Sequence, residues 1–406
     1  MPANAVLDVF AGAHPAGSLA RSDVEEDGFL FGYGAGSRPP DAISLLMPVV
    51  KDPYVSTGGL LPIFEMNLPE GALLERLRLQ FAKTVPNLDD LELLGILGQS
   101  QIGRLRYARA GTEPAAVPGK NIREILTYRG SEDLFRALVG QYAVYSGISG
   151  IQPKILLRAD DVPLPRATHR GATHIVKTFN PQEYPELAAN EFFCMTAARH
   201  AGIPTPHLEL SENRKILVIE RFDLLPDGRY LGVEDFCVLV GLRSHGRYAS
   251  SYEKVAQRIG EFVSPDALPA AQSQFFSMLA LSCAIENGDA HLKNFAVVYE
   301  HAESQVTLAP AYDLVATTPY VPRDVLALTL EGTKEFPSRK TLLRFAVRHC
   351  GLRQAKAVQL LERVEQGIAK AVTEMRRHVR QHPDFAQAGK HFIQVFERGR
   401  ARSLAE

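Results

Sequence analysis

The chain has few cysteines and no long apolar run. Its 4 cysteines are scattered over 406 residues and form no Cys-x-x-Cys pair, so we do not expect a zinc site or a disulfide framework; buried reduced thiols fit better. No apolar run reaches the roughly 18 residues that a membrane-spanning helix needs, and the first residues lack the basic start of a signal peptide. We therefore expect a cytoplasmic protein without membrane contact.

The chain also lacks an excess of charge of either sign. Lys and Arg number 45 against 46 Asp and Glu, a net charge of −1, so the overall charge does not indicate binding to nucleic acid or membrane. The C-terminal region alone is rich in basic residues. It could form a surface for nucleic acid or a partner, but a solvated helix face balanced by nearby acids is the favoured interpretation. The basic residues of this region are Arg376, Arg377, Arg380, Lys390, Arg398, Arg400 and Arg402.

Several common catalytic motifs are missing as well. The sequence has no Gly-x-Ser-x-Gly elbow, no His-Glu-x-x-His and no Gly-x-Gly-x-x-Gly after a predicted strand, so the chemistries that use them are poorly supported. The composition, 46% hydrophobic and 22% charged, is that of an ordinary globular protein. The length allows two or three domains.

The order of elements predicts an α+β fold. A first unit, residues 1–108, combines short strands with two helices, and residues 109–120, rich in Gly, Ala and Pro, are the linker candidate. Further strands and a helix over 185–200 follow, and a mostly helical half then begins with a helix over 233–242. The strands of the first unit are predicted over 6–10, 17–21, 28–33, 44–50 and 102–107.

The most informative segment runs from Asn287 to Phe295, at the end of an apolar helix predicted over 266–286. Asp289 and Asn294 stand five residues apart, which is the interval between the base and the metal-binding amide in the catalytic loop of kinases. Asp289 would accept a proton from a hydroxyl nucleophile or orient it. Asn294 and the downstream Asp313 would supply the hard oxygen ligands that Mg²⁺ prefers.

The same segment has a plainer interpretation as a helix C-terminus. The dipeptide Asn287-Gly288 is typical of a left-handed cap, and Asp289 of a turn acid. We accept this for the dipeptide but not for the whole set, because the apolar residues 295–298 continue straight into a strand. His291 and Lys293 could then steady the loop or the transferring phosphate.

A glycine-rich turn runs from Ser146 to Lys154. Gly147 and Gly150 would let backbone N–H groups approach phosphate oxygens. No Gly-x-x-x-x-Gly-Lys-[Ser/Thr] loop can be read across it, and on two glycines alone a plain tight turn is the favoured interpretation.

A lysine and a glutamate form a candidate ion pair. Lys177 closes a strand over 173–177 and could point its ammonium at phosphates, although an exposed strand-end lysine is the alternative. Glu191 has Leu187 and Met195 as its i−4 and i+4 neighbours on a predicted helix, which places its carboxylate on a largely apolar face. A charge there is costly unless it is paired, for which Lys177 is the nearest candidate. Otherwise that face is only partly buried and Glu191 reaches solvent.

Together these motifs resemble the HipA-like serine/threonine kinases, toxins of type II toxin–antitoxin pairs. The resemblance covers nearly the whole chain, and the order and spacing of the motifs are specific. The matching stretches are Ser149 to Lys154, His174 to Lys177, Asn190-Glu191, Glu220 to Asp223, Gly288 to Phe295 and Tyr312-Asp313.

The resemblance implies a two-lobed protein-kinase-like fold preceded by a small N-terminal α+β subdomain, residues 1–108. Residues 121–225 would form the N-lobe-like region with the glycine-rich loop, and residues 226–406 a mostly helical C-lobe with the catalytic loop. ATP and Mg²⁺ are the implied cofactors.

The resemblance also implies roles for individual residues. Asp289 would be catalytic, Asn294 and Asp313 would bind Mg²⁺, and Glu191 would form the structural ion pair. Residues Glu220 to Phe222 would line the adenine. The full set of implied ATP-binding residues is Ser149, Gly150, Ile151, Gln152, Pro153, Lys154, Lys177, Glu220, Arg221, Phe222, His291 and Lys293.

Members of the family phosphorylate protein serines, in known cases on aminoacyl-tRNA synthetases, and silence themselves by autophosphorylating a serine in the glycine loop. That serine often lies three residues before the glycine matching Gly150, where this chain has Gly147. Some members carry a second serine directly before the glycine matching Gly150, and Ser149 fills this position here. Self-silencing is therefore expected at Ser149, with Ser146 as a second candidate; the alternative is that self-silencing is absent.

A helix-turn-helix antitoxin is the expected partner, and DNA contact would come only through it. The alternative functions are a nucleotide-binding co-repressor acting with a DNA-binding antitoxin, and a small-molecule kinase.

Overall fold

The computed structural model describes residues 6–23, 27–81, 85, 88–98, 100–109, 112, 116–129, 134–148, 152, 154–160 and 171–405. The strands are β1 Val6–Ala11, β2 His14–Arg21, β3 Phe29–Tyr33, β4 Tyr54–Ser56, β5 Leu105–Arg109, β6 Gly119–Lys120, β7 Lys154–Ala159, β8 His174–Thr178, β9 Leu208–Leu210, β10 Ile216–Glu220, β11 Gly232–Asp235, β12 Ala296–Tyr299 and β13 Thr307–Leu308.

The α-helices are α1 Pro62–Glu65, α2 Gly71–Phe81, α3 Asp90–Leu97, α4 Ile122–Leu126, α5 Leu134–Tyr142, α6 Leu187–His200, α7 Phe236–Leu239, α8 Tyr252–Phe262, α9 Leu268–Ala284, α10 Arg339–His349, α11 Gln354–Gln381 and α12 Ala386–Ser403. Within the described ranges, none of these helices is both long enough and apolar enough to cross a membrane.

The chain divides into two compact units. The first takes in residues 1–178, 211–244 and 298–305, and the second residues 179–210, 245–297 and 306–406. Boundaries at residues 108, 120 and 225 remain a prediction, because this division follows packing rather than the sequence order of the predicted domains.

The first unit contains an antiparallel sheet in the order β4-β3-β2-β1-β5. Alternation along β1 buries Leu7, Val9 and Ala11, while the residues between them are more exposed. Tyr107 of β5 lies directly opposite Val9 on this face, and Phe64 packs against it, with ring centroids 5.9 Å apart. This small α+β core is the one that the alternating sequence pattern predicts.

The predicted strand over 44–50 is wrong. The backbone turns back there, since Met47 N–H donates to the Ser44 carbonyl. The Leu45 N–H donates to Glu234 Oε1 at 2.7 Å, and the Ser44 hydroxyl donates to Glu234 Oε2 at 2.6 Å. The backbone bonds of Leu45 and Met47 take up groups that a strand would use for its ladder, and the edge strand is β4 instead.

The first unit also holds four strands of a second sheet, in the order β6-β7-β8-β10. The pairs β7–β8 and β8–β10 are antiparallel, whereas β6 pairs with β7 in parallel. The predicted helix over 233–242 is wrong in its first turn, because those residues form β11. Asp235 then caps the short α7 by accepting from the Val238 N–H at 2.9 Å.

The second unit is mainly helical and packs around α9 and α11. Nearly every residue in the second half of α9 is buried. Along α11 the apolar residues recur every three or four positions, which gives one continuous buried face. A Cβ at Gly367 would lie 2.6 Å from the Ala197 carbonyl oxygen, so this glycine lets α11 approach α6 closely.

Candidate active site

The loop after α9 begins with a left-handed residue. Glu286 has φ +56°, and three residues later the Asp289 N–H donates to Asn287 Oδ1 at 3.0 Å. The predicted left-handed cap at Asn287-Gly288 is therefore wrong. Gly288 is needed for a different reason, since a Cβ there would lie 2.1 Å from Asp324 Oδ2.

Asp289 projects from this loop with 44% of its side chain exposed. The Tyr248 hydroxyl donates to Asp289 Oδ1 at 2.7 Å. Partial burial of the carboxyl group raises the pKa of Asp289 to about 6, and the charges of Asp313 and Asp324 act in the same direction. The Tyr248 hydrogen bond and the Arg247 charge oppose that rise. The result is a carboxylate that is ionised near neutral pH yet more basic than usual, as a proton acceptor requires.

Asn294 lies on the short 3₁₀ turn Leu292–Asn294 and is 5% exposed. Its Nδ2 donates to the Asp313 carbonyl at 3.4 Å. Because only an N–H group can face a carbonyl oxygen, this contact sets the orientation of the amide. Asn294 Oδ1 is buried and has no hydrogen-bond partner among the described residues. Asp313 itself is left-handed, with φ +58°, a conformation that marks a constrained position.

His291 is neutral in this setting. Burial lowers the pKa of His291 to about 4, and the Arg247 and Lys293 charges add to that effect, whereas Asp313 opposes it. Its Nδ1 is buried without a partner among the residues described. The Lys293 carbonyl accepts a 2.9 Å hydrogen bond from the Tyr312 hydroxyl, which ties the loop to the segment that carries Asp313.

A buried cluster that the sequence did not predict supports this loop. The Glu286 side chain is 2% exposed and accepts hydrogen bonds from Arg398 Nε at 3.0 Å, Arg402 Nη1 at 2.8 Å and the Thr318 hydroxyl at 2.7 Å. Burial alone would raise the pKa of Glu286, but these hydrogen bonds outweigh it and lower the pKa. The cluster joins the start of the loop that carries Asp289 to α12 and to residue 318.

Helix α6 contributes a second clamp. Asn190 Nδ2 donates to the Ala316 carbonyl, and the Ala316 N–H donates to Asn190 Oδ1, both at 2.9 Å. This pair of hydrogen bonds fixes the backbone three residues after Asp313. Glu191, the next residue, is fully buried, so the alternative in which it reaches solvent is wrong. Its ion pair with Lys177 stays a prediction.

In the first unit, two lysines stand directly opposite each other on adjacent strands. Lys154 of β7 is the cross-strand partner of Lys177 of β8. They are 5% and 4% exposed. Directly opposite residues of an antiparallel pair share a face, and like charges placed there destabilise the sheet. The two buried ammonium groups thus place positive charge on one face of the sheet.

Two family models match the chain: the HipA N-terminal domain over residues 7–108, and the HipA-like C-terminal domain over residues 146–372. The second alone spans more than half of the chain. This chain belongs to the HipA family.

Two curated relatives of this HipA-family chain come from Sinorhizobium fredii (strain NBRC 101917 / NGR234). The one named "Putative kinase Y4dM" is 27% identical over 366 residues, which is 82% of this chain and 83% of the relative. The one named "Putative kinase Y4mE" is 27% identical over 304 residues, or 68% and 69% of the two chains.

A solved structure shares the fold. A chain of the Shewanella oneidensis MR-1 toxin–antitoxin complex of HipA, HipB and operator DNA is 19% identical to this one, with a TM-score of 0.70. The match covers 98% of this chain and 97% of that chain. The predicted fold class, α+β and kinase-like, is confirmed.

The glycine loop of this HipA chain lies mostly outside the described residues. Ser149, Gly150, Ile151 and Pro153 fall there, so their predicted roles stay predictions, as does that of Gln152, which is described and half-buried.

The residues just before the loop are packed within the first unit. The Ser146 hydroxyl is fully buried, donates to the Tyr142 carbonyl at 2.7 Å and accepts from the Leu156 N–H at 2.9 Å. These bonds argue against Ser146 as a phosphoacceptor. A Cβ at Gly147 would lie 1.7 Å from Gln101 Oε1, so a side chain at this position would require the Gln101 side chain to move.

The side chains of residues Glu220 to Phe222 differ in burial and in their contacts. Glu220 is exposed and Phe222 is half-buried. The Arg221 guanidinium is fully buried, donates to Asp223 Oδ1 at 2.9 Å and lies 4.2 Å from the Tyr230 ring centroid. The Arg221 side chain therefore stabilises the first unit. That Glu220 to Phe222 line the adenine remains a prediction, and for Arg221 it concerns the backbone rather than the side chain.

Proposed function

We propose that this HipA-family protein is a Mg·ATP-dependent serine/threonine protein kinase that acts as the toxin of a toxin–antitoxin pair. The observation that carries the proposal is the grouping of Asp289, Asn294 and Asp313 in one loop system of the second unit. A carboxylate with a raised pKa and a buried amide oxygen without a partner are the groups that phosphoryl transfer requires.

The donor set suits a magnesium ion. Asn294 Oδ1 is buried without a hydrogen-bond partner among the described residues, while Nδ2 of the same amide donates to the Asp313 carbonyl. A metal ion would satisfy that oxygen. Together with the Asp313 carboxylate it offers the hard oxygen ligands that Mg²⁺ selects. When bound, the ion would neutralise charge on the phosphates of the nucleotide.

The protein's own groups supply the rest of the chemistry. Asp289 accepts the proton of the acceptor hydroxyl, while neutral His291 adds no charge beside it. Lys154 and Lys177 bind phosphate oxygens of ATP, which their shared face and their burial favour. The remaining predicted ATP contacts belong to this proposal.

The relatives support a kinase activity and a HipB-like partner. Two relatives are named as kinases, and the structural neighbour is a HipA assembled with HipB and operator DNA. We therefore propose a protein serine as the acceptor, by family analogy on an aminoacyl-tRNA synthetase, and autophosphorylation at Ser149. A HipB-like antitoxin would bind this chain, and DNA would be bound only through that antitoxin.

The C-terminal arginines weaken the co-repressor alternative. Arg398 and Arg402 bind Glu286, and Arg376 pairs with Glu397. Two acids thus face these three arginines, which reduces the charge that this region could offer to DNA.

Transfer of labelled γ-phosphate to lysate proteins tests the proposal. Asp289→Asn is expected to lower the transfer rate by roughly 100-fold or more, whereas Asp52→Asn, an exposed acid of the first unit, should not. Full transfer by Asp289→Asn would contradict the assignment of the base. Label that enters only small molecules would favour the small-molecule kinase.

A further inference from the structure

A tyrosine distant in sequence contacts the proposed base. Tyr248 lies 41 positions before Asp289, yet its hydroxyl donates to Asp289 Oδ1 at 2.7 Å. His291 Nε2 lies 3.9 Å from the same oxygen. Asp289 Oδ2 accepts no hydrogen bond from any residue that the structure describes. The two oxygens of the carboxylate are therefore not equivalent.

The tyrosine is itself held in place. Its ring meets the His291 ring edge to face, with centroids 5.0 Å apart, and the Arg247 guanidinium lies 5.4 Å from the Tyr248 ring centroid. The Leu292 N–H donates to the Arg247 carbonyl at 3.2 Å. A phenol fixed by ring contacts and by a backbone bond can fix the carboxylate that it touches in turn.

We propose that Tyr248 is the positioning residue of the catalytic base: it holds Asp289 Oδ1, so that Oδ2 is the oxygen that receives the acceptor proton. The proposal rests on the proposed kinase function. In the reaction, a bond forms between the acceptor oxygen and the γ-phosphorus of the nucleoside triphosphate. The bond from that phosphorus to its bridging oxygen breaks, and the acceptor proton moves to Oδ2.

Tyr248 keeps its own proton throughout this step. Burial, together with the neighbouring Asp289 charge, raises the pKa of the phenol far above its usual range. The phenol is therefore a permanent donor that cannot compete for the acceptor proton. A serine hydroxyl could donate the same bond but would lack the ring contacts that fix its direction.

The charged and titratable groups around Asp289 make the effect measurable. They are Arg247, Tyr248, His291, Asp313 and Asp324. Of these, Tyr248 and Arg247 favour the ionised carboxylate, and Asp313 and Asp324 oppose it. Removing the phenol hydroxyl alone should raise the pKa of Asp289 and leave the other charges unchanged.

Tyr248→Phe is the discriminating variant, because it keeps the ring and removes only the hydroxyl. The matched control is Tyr54→Phe in the first unit, where the lost hydrogen bond goes to the Pro48 carbonyl at 2.7 Å. We expect Tyr248→Phe to lower kcat roughly 10- to 100-fold with little change in KM for ATP, and to move the acidic limb of the pH–rate profile upward. A kcat and a pH profile equal to those of the wild type would overturn the proposal.

A second measurement does not depend on activity. The carboxyl ¹³C signal of Asp289, assigned by its loss in Asp289→Asn, is titrated in wild-type protein and in Tyr248→Phe. An upward shift of the titration midpoint supports the contact, and an unchanged midpoint overturns it. A wild-type protein that transfers no phosphate would count against the proposed function, while this titration would still decide whether Tyr248 governs the carboxylate.

Discussion

Arg398 of α12 donates from Nε to the buried carboxylate of Glu286 at 3.0 Å. Glu286 lies three residues before Asp289 and is left-handed, with φ +56°, a conformation that costs a non-glycine residue about 1 kcal/mol or more. Its three side-chain partners compensate for that strain. The C-terminal helix is thereby part of the support for the candidate active site.

Glu286→Gln should destabilise the protein by about 1 to 3 kcal/mol, since it weakens charged hydrogen bonds to both arginines while keeping the side chain's shape. Chemical denaturation of the two proteins measures the difference. Glu365→Gln is the matched control, because the Glu365–Arg400 pair is 3.9 Å apart and about 40% exposed. Its loss should cost no more than about 0.5 kcal/mol. Equal effects of the two changes would contradict the role of the cluster.

The same cluster predicts a pH dependence. The pKa of Glu286 is lowered from its ordinary value of 4.5, so the folded protein binds this proton less readily than the unfolded chain does. The stabilising contribution of Glu286 is therefore fully present above about pH 4.5 and is lost as the pH falls through the lowered pKa. The difference in unfolding free energy between wild type and Glu286→Gln should shrink as the pH is lowered from 5 to 3.

For Asp289 we expect stability to change with pH in the opposite direction. Its pKa is raised from 3.8 to about 6, so the folded protein binds this proton more readily, and stability from this group falls as the pH rises between those values. Asp289→Asn should therefore unfold at a higher temperature than wild type at pH 8. The gain should be roughly 1 °C or a little more, because 44% of the side chain is exposed and solvent screens it. If Asp289→Asn loses transfer activity but does not unfold at a higher temperature than wild type at pH 8, the ionised Asp289 carboxylate does not destabilise the folded protein.

How far the sequence predicts the site depends on the separation of the residues involved. Asp289 and Asn294 are close in sequence, so their spacing alone suggests their chemistry. Tyr248 contacts Asp289 across 41 positions, and Arg398 contacts Glu286 across 112. No local pattern marks such pairs, and only the tertiary packing brings them together.

The secondary structure shows the same dependence on sequence separation. The alternation that buries Leu7 and Val9 is local, and the strand β1 is predicted correctly from it. The stretch 44–50 also contains β-prone residues, but the Leu45 N–H bonds to Glu234, 189 positions away. That long-range bond overrides the local preference for a strand.

Two glycines in the second unit should respond oppositely to alanine. At Gly288 a Cβ would lie 2.1 Å from Asp324 Oδ2 and 2.6 Å from the Val325 carbonyl oxygen, so Gly288→Ala must displace the backbone and should cost about 1 to 3 kcal/mol. At Gly260 in α8 no atom lies within 4 Å of the added Cβ. Gly260→Ala should therefore stabilise the helix by up to about 1 kcal/mol. Thermal unfolding of both variants tests this contrast, and a neutral Gly288→Ala would show that the loop can relax.

The opposed lysines Lys154 and Lys177 predict stabilisation by an anion. If both ammonium groups bind phosphate oxygens, ATP at about 100 times its Kd should raise the unfolding free energy of wild type by about 2.7 kcal/mol. Lys177→Met should lose most of the ATP-dependent rise, because it removes one of the two ammonium groups on this face. Lys215→Met, at an exposed position of the same unit, should retain that rise. A Lys177→Met protein that is stabilised by ATP as strongly as wild type would mean that the buried pair serves the sheet and not a ligand.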